Sequence, residues 1–154
     1  MASPANGFAK SRPVDFSSFG NLSDPKTLHL LKRGLASRCL QKGFHAEAER
    51  LYRELLEADP ADHDGLQGLG AVCLLEQRPD EAVHWFVKAL ALRTDCPEVI
   101  SNLGTAYHRL GRLADAKILY RQAMALKPDY ADPCCNLGCI LQEEGSIAEA
   151  MDWH

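Results

Sequence analysis

The sequence predicts an all-α fold in which antiparallel helix pairs stack side by side into a solenoid. Three observations predict it. Written in rows of 34 residues beginning at His29, His63, Pro97 and Ala131, the chain aligns column by column without a gap. Within a row, apolar residues recur three or four apart, as one helical face requires: Ile100, Leu103, Tyr107 and Leu110, then Leu113, Ala116, Leu119, Tyr120 and Ala123. Residues that end helices fall at fixed places, with Gly43, Gln77, Gly111 and Gly145 in mid-row and Pro60, Thr94 and Pro128 near the row end. A period of this length is the mark of a repeat array, in which each unit buries its apolar face against the next.

Taken in order, residues 1–24 are rich in Ser, Pro, Asn and Gly and are expected to form a flexible N-terminal tail. Phe8, Val14, Phe16 and Phe19 are its candidates for docking back into a groove. Ser23, Asp24 and Pro25 read as a helix start, a capping side chain followed by proline at an early helical position. The array then occupies residues 25–154, with repeats 29–62, 63–96 and 97–130 and a partial repeat 131–154.

Each full row divides into a first helix, a short turn and a second helix. Leu35, Leu69, Leu103 and Leu137 share one column, and Ala36, Gly70, Gly104 and Gly138 the next. With Ala48, Ala82, Ala116 and Ala150, these small residues let the paired helices approach closely. Tyr52, Phe86 and Tyr120 fill the remaining space, so a larger side chain at Gly104 or Ala116 should overpack the contact. The pattern weakens at Lys32 and Ala36 in the first row, at Gln77 in place of glycine, and at Thr94, although Pro97 follows three residues later. The last row stops halfway through its second helix, with Trp153 in the column of Leu51, Trp85 and Leu119. A solenoid end calls for a polar closing helix, so the array is expected to continue beyond residue 154.

Bulk composition narrows the function classes. The chain has 154 residues, 46% of them hydrophobic, enough for a core and about one domain. Its formal net charge is −4 and its basic residues are scattered among acids, which argues against nucleic acid as a partner. No apolar run is long enough to span a membrane, and the N-terminus lacks the apolar stretch of a secretory signal, so a cytoplasmic location is expected. The six cysteines form no CxxC pair and should remain reduced there. Cys135 and Cys139 stand four apart on one helical face, but no histidine or further cysteine completes a metal-ligand set. The glycines at Gly68 and Gly70 fall inside a helix rather than after a strand, so they form no phosphate loop. No catalytic residue, metal or cofactor is expected for this segment.

Leu-Gly at the middle of the first helix in rows two to four, then aromatic, alanine and proline columns at a period of 34, resemble the tetratricopeptide-repeat family over residues 29–154. The resemblance implies a right-handed superhelix whose first helices line a concave groove that holds a protein or peptide. Carried onto this sequence, it places Arg33, Ser37 and Gln41 on the groove in the first row. The second row contributes Asp64, Gln67, Gly68 and Ala71, and the third Glu98, Ser101, Asn102, Thr105 and His108. The fourth contributes Asp132, Cys135, Asn136, Cys139 and Gln142. Asn102 and Asn136 occupy one column, continued upward by Gly68 and Gly34. An amide both donates and accepts, so a ladder of asparagines can hold an extended peptide by its backbone. The two rungs resemble the asparagine ladder in the repeat arm of O-linked N-acetylglucosamine transferases. Chaperone-binding members of the family instead clamp a C-terminal carboxylate with Lys and Asn. The matching positions here carry Arg33, Ser37, Gly68, Glu98 and Asn102, where only Arg33 keeps the charge and Glu98 reverses it, so a chaperone tail is not the expected ligand.

Three functions are compatible with this reading. The first is a protein-interaction scaffold that binds a peptide or helix in the groove. The second is the substrate-recognition arm of a larger enzyme, such as a protein glycosyltransferase with its catalytic domain downstream. The third is a structural role through self-assembly by Trp153 or the N-terminal tail. The oligomeric state is left open.

Overall fold

The computed structural model describes residues 23–145; the expected tail, apart from its last two residues, and the half-helix carrying Trp153 lie outside them. Among the described residues there are seven α-helices and no strand. They are α1 (Pro25–Gln41), α2 (His45–Ala58), α3 (His63–Leu75), α4 (Pro79–Leu92), α5 (Pro97–Arg109), α6 (Leu113–Leu126) and α7 (Ala131–Glu143). First helices α3, α5 and α7 start 34 residues apart, as do second helices α2, α4 and α6. None of the seven is long and apolar enough to cross a membrane.

The local chemistry of the ends explains these bounds. Asp24 caps α1, its carboxylate accepting from the Lys26 N–H at 3.3 Å and the Thr27 hydroxyl at 2.9 Å, with Pro25 at the first helical position. Pro79 and Pro97 open α4 and α5 in the same way. After α1 and α5, a left-handed glycine closes the turn, Gly43 at φ 81° and Gly111 at φ 77°. Each bends the chain so that the next N–H reaches a carbonyl five residues back, Phe44 to Cys39 at 2.8 Å and Arg112 to Tyr107 at 2.9 Å. Gln77 takes the same geometry at φ 60°, with Arg78 N–H donating to Cys73 at 2.8 Å.

Second helices end in register too, at Ala58, Leu92 and Leu126. Asp59 and Lys127 precede prolines, which push them into extended backbone. Arg93 adopts the same conformation before Thr94, at φ −145° and ψ 103°. The same stop is thus reached without a proline directly after it.

The core runs as three linked clusters along the stack. Ala36, Ala48, Leu51, Tyr52, Leu55, Leu69 and Val72 form the first; Phe86, Ala82, Val99 and Leu103 centre the second; Tyr120, Ala116, Leu137 and Ile140 centre the third. Leu56 and Trp85 pack against both the first and second, and Tyr107 against both the second and third. The aromatic column seats on the glycine column as the pattern requires. A Cβ built on Gly70 would lie 2.4 Å from the Phe86 ring, and one on Gly104 2.9 Å from the Tyr120 ring. In the first pair Ala36 replaces that glycine, and the Tyr52 ring lies instead over Gly68 of the next pair, where a Cβ would come within 2.2 Å of it.

Helix contacts give the stack its curvature. Besides its sequence neighbours, each first helix touches the first helices beside it, α1 to α3, α3 to α5 and α5 to α7, whereas α2, α4 and α6 do not touch one another. The first helices are thus crowded on the inner side of a bend and the second helices spread on the outer side.

Candidate functional site

The inner side is lined by one stripe of each first helix. Its N-terminal part is a hollow of about 530 Å³ between α1 and α3, bounded by Leu30, Arg33, Ser37 and Leu40 on one wall and Asp64, Gln67 and Ala71 on the other. Gly34, Gly68 and the Tyr52 ring form its floor. Farther along, the column that is glycine at residues 34 and 68 carries Asn102 and Asn136, both half-buried.

Beside the hollow stands a buried carboxylate that sequence reasoning missed. Asp62 caps α3, accepting from the Gly65 N–H at 2.8 Å. It also accepts from the Arg33 guanidinium at 2.8 Å and meets the His29 ring. Burial pushes the Asp62 carboxyl up, but Arg33, the Gly65 N–H and His29 together outweigh it and hold the group below its ordinary range. Arg33 reaches Asp64 as well, at 3.2 Å. The guanidinium that looks in the sequence like a free groove cation is therefore matched by two carboxylates. Asp preceding an apolar helical run was the available signal for the cap; nothing in the row alignment ties it to a residue 29 positions earlier.

Toward the other end, the Tyr120 hydroxyl donates to Thr105 Oγ1 at 3.1 Å, and Thr105 donates to the Ser101 carbonyl at 3.2 Å. Asn136 Nδ2 approaches the same Thr105 oxygen at 3.5 Å, a weak contact. Asn102 makes no side-chain hydrogen bond among the described residues. His108 faces Glu143 at 3.5 Å across α5 and α7. Glu98 pairs with Lys127 at 3.2 Å.

The expected groove residues thus fall into distinct settings. Arg33, Ser37 and Gln67 line the hollow. Asn102, Thr105, His108 and Asn136 are half-buried, and Cys135 and Cys139 are exposed on α7. Ser101 is only 2% exposed and so presents little surface to the groove. None of the six cysteines is in a disulfide. Among the described residues no group of three or more His, Cys, Asp or Glu side chains is arranged to hold a metal.

Comparison with known proteins agrees with this architecture. Residues 64–129 match the tetratricopeptide repeat family. The chain is similar to a UDP-N-acetylglucosamine–peptide N-acetylglucosaminyltransferase of Caenorhabditis elegans, 31% identical over 82 residues, which cover 53% of this chain and 7% of that protein. It is also similar to the crystal structure of MamA, with a TM-score of 0.68 and 27% identity, over 77% of this chain and 69% of that one. The first repeat domain of Spaghetti (RPAP3), solved with the HSP90 peptide SRMEEVD, shares the fold at a TM-score of 0.71 and 21% identity, over 76% of this chain and 93% of that one.

Proposed function

From the premise that the described helices form a tetratricopeptide-repeat array, a protein-interaction scaffold, we propose that its concave face binds an extended segment of a partner protein. The observation that carries this reading is the pair of amides on the inner stripe. Among the described residues Asn102 makes no side-chain hydrogen bond, and Asn136 Nδ2 meets Thr105 only at the long distance of 3.5 Å. Each can pair with the N–H and C=O of an extended chain, whose own backbone groups otherwise lose water without compensation. Such bonds are made to the backbone and are tolerant of the partner's sequence.

The test is a selection of extended peptides on the purified chain from a displayed random library, followed by affinity measurement. Asn102→Ala with Asn136→Ala should weaken the selected peptides about tenfold or more, as losing one or two net hydrogen bonds implies. The far-UV circular dichroism should not change, since neither side chain fills a core cluster. Equal affinity in the double variant would sink the proposal.

A second reading makes the array the substrate-recognition arm of a larger enzyme. Its similarity to a peptide N-acetylglucosaminyltransferase favours it, although the match spans a small part of that protein. The coding sequence downstream of residue 154 decides it.

A further inference from the structure

Each first helix after α1 buries one face against the second helix that precedes it, and the register of the array identifies that face residue by residue. On α3 it comprises Gly65, Leu69 and Val72. A Cβ built on Gly65 would lie 3.0 Å from the Leu56 side chain of α2, and Leu69 and Val72 share the first core cluster with Leu51 and Leu55. Arg78, in the turn after α3, completes the face by reaching back to Glu49 of α2 at 2.8 Å. On α5 and α7 the same columns carry Leu103, Ala106, Leu137 and Ile140, all buried.

On α1 these columns hold Leu31, Leu35 and Arg38, and Phe44 takes the place of Arg78. No second helix among the described residues precedes them. Leu31 is 41% and Phe44 60% exposed, Leu35 is half-buried and Arg38 exposed. The face thus repeats the apolar pattern that the later pairs cover with a helix, with one difference. Arg38 stands where Val72, Ala106 and Ile140 are sealed from water, and its side chain has no ion pair or hydrogen bond among the described residues. A helix laid here would bury the guanidinium, which is costly unless a carboxylate meets it. Helix α1 cannot supply one: Pro25–Gln41 holds Lys26, Lys32, Arg33 and Arg38 and no Asp or Glu, in a chain of net charge −4.

The occupant that answers both features is an amphipathic helix with acidic residues beside its apolar stripe. Two nearer candidates fit worse. A second copy joined through this face would bring two Arg38 guanidiniums into one interface, with no acid on either α1 to offset them. The chain's own residues 1–22, which lie outside the described ones, are interrupted by Pro4, Gly7, Pro13 and Gly20, whereas each covering helix in the array has 14 residues. We infer that the N-terminal end of the stack, around Leu31, Leu35, Arg38 and Phe44, docks an acidic amphipathic helix of a partner protein. Seated as α2 sits on α3, that helix sets a leucine beside Leu31 and a carboxylate toward the Arg38 and Phe44 end. This surface is separate from the groove and does not depend on the reading given for it.

The test uses the full chain and, as probe, a peptide with the α2 sequence, residues 45–58, held helical by a hydrocarbon staple replacing Ala46 and Arg50. Both positions are exposed on α2, and the peptide keeps Glu49, Leu55 and Leu56. Fluorescence anisotropy should show saturable binding, with methyl shifts at Leu31 and Leu35. Arg38→Glu should weaken binding about tenfold or more, and a probe carrying Glu49→Lys should recover that loss on the Arg38→Glu chain. Arg38 is exposed and unpaired, so the variant should fold as the parent does. Asn102→Ala with Asn136→Ala should bind the probe as the parent does, which separates this surface from the groove. No saturable binding, equal affinity in Arg38→Glu, or loss in the asparagine variant would overturn the inference. So would movement of the Leu31 and Leu35 methyls without probe, whether on Phe16→Ala with Phe19→Ala or on dilution of the chain. The occupant would then be the chain's own N-terminal segment or a second copy.

Discussion

Single side chains decide how tightly each turn and cap is held. Gln77 is the one non-glycine residue with positive φ among those described, in a turn whose counterparts are Gly43, Gly111 and Gly145. A Cβ in the left-handed region costs about 1–2 kcal/mol, partly offset by the greater freedom of glycine in the unfolded chain. Gln77→Gly should therefore stabilise the protein by roughly 0.5–1 kcal/mol, seen as a higher urea midpoint at unchanged slope.

Asp62 supplies the opposite case. Its folded carboxyl lies below the ordinary value, so its contribution is complete above the unfolded pKa of about 4 and drains away as pH falls through the lower folded value. Asp62→Asn keeps a cap oxygen for Gly65 but loses the charge opposite Arg33. It should cost about 1–2 kcal/mol at pH 7, with the deficit shrinking below about pH 4 in denaturant titrations taken at several pH values. The capping role of Asp24 was legible in the sequence because cap, proline and helix adjoin. The Asp62 hub was not, since Arg33 and His29 reach it from another helix.

Between residues and the whole array, the elements communicate through shared side chains. Trp85 on α4 packs against the first and second clusters, with Lys88 Nζ 5.1 Å from its ring and the Arg53 guanidinium 5.9 Å away. The same column carries Leu51 and Leu119, so the site tolerates an aliphatic. Trp85→Leu should cost less than about 1.5 kcal/mol. Trp85→Ala should cost about 2–3 kcal/mol and broaden the thermal transition as the first pair loosens from the rest. Calorimetry on both variants checks this, and a sharp single transition for the alanine variant would count against coupling through Trp85.

Helix existence and register were readable because apolar spacing and turn residues repeat together. The end of α4 shows the limit. Thr94 stands where the other rows have proline, yet α4 ends in the register of α2 and α6, with Arg93 in extended backbone. Ser101 shows the same limit at the groove: its column faces inward, yet the residue is only 2% exposed.

Over the whole molecule, stability follows the order of stacking. Helix α1 buries only Ala36, whereas α3 buries residues along nearly its full length, from Gly65 to Leu74. Native-state hydrogen exchange should therefore show the amides of α3 and α5 as the slowest and those of α1 opening well below the global free energy. Uniform protection from α1 to α6 would contradict a chain of nearest-neighbour units.

The inner helices touch one another while the outer helices stand apart. The inner line therefore works as a spine and the outer side as a fan, so small rotations about the spine can flex the array with little loss of contact. A guest lying along the spine bridges several units at once. It would act as a splint, and the array's elasticity under a pulling force should be a direct gauge of whether that guest is in place.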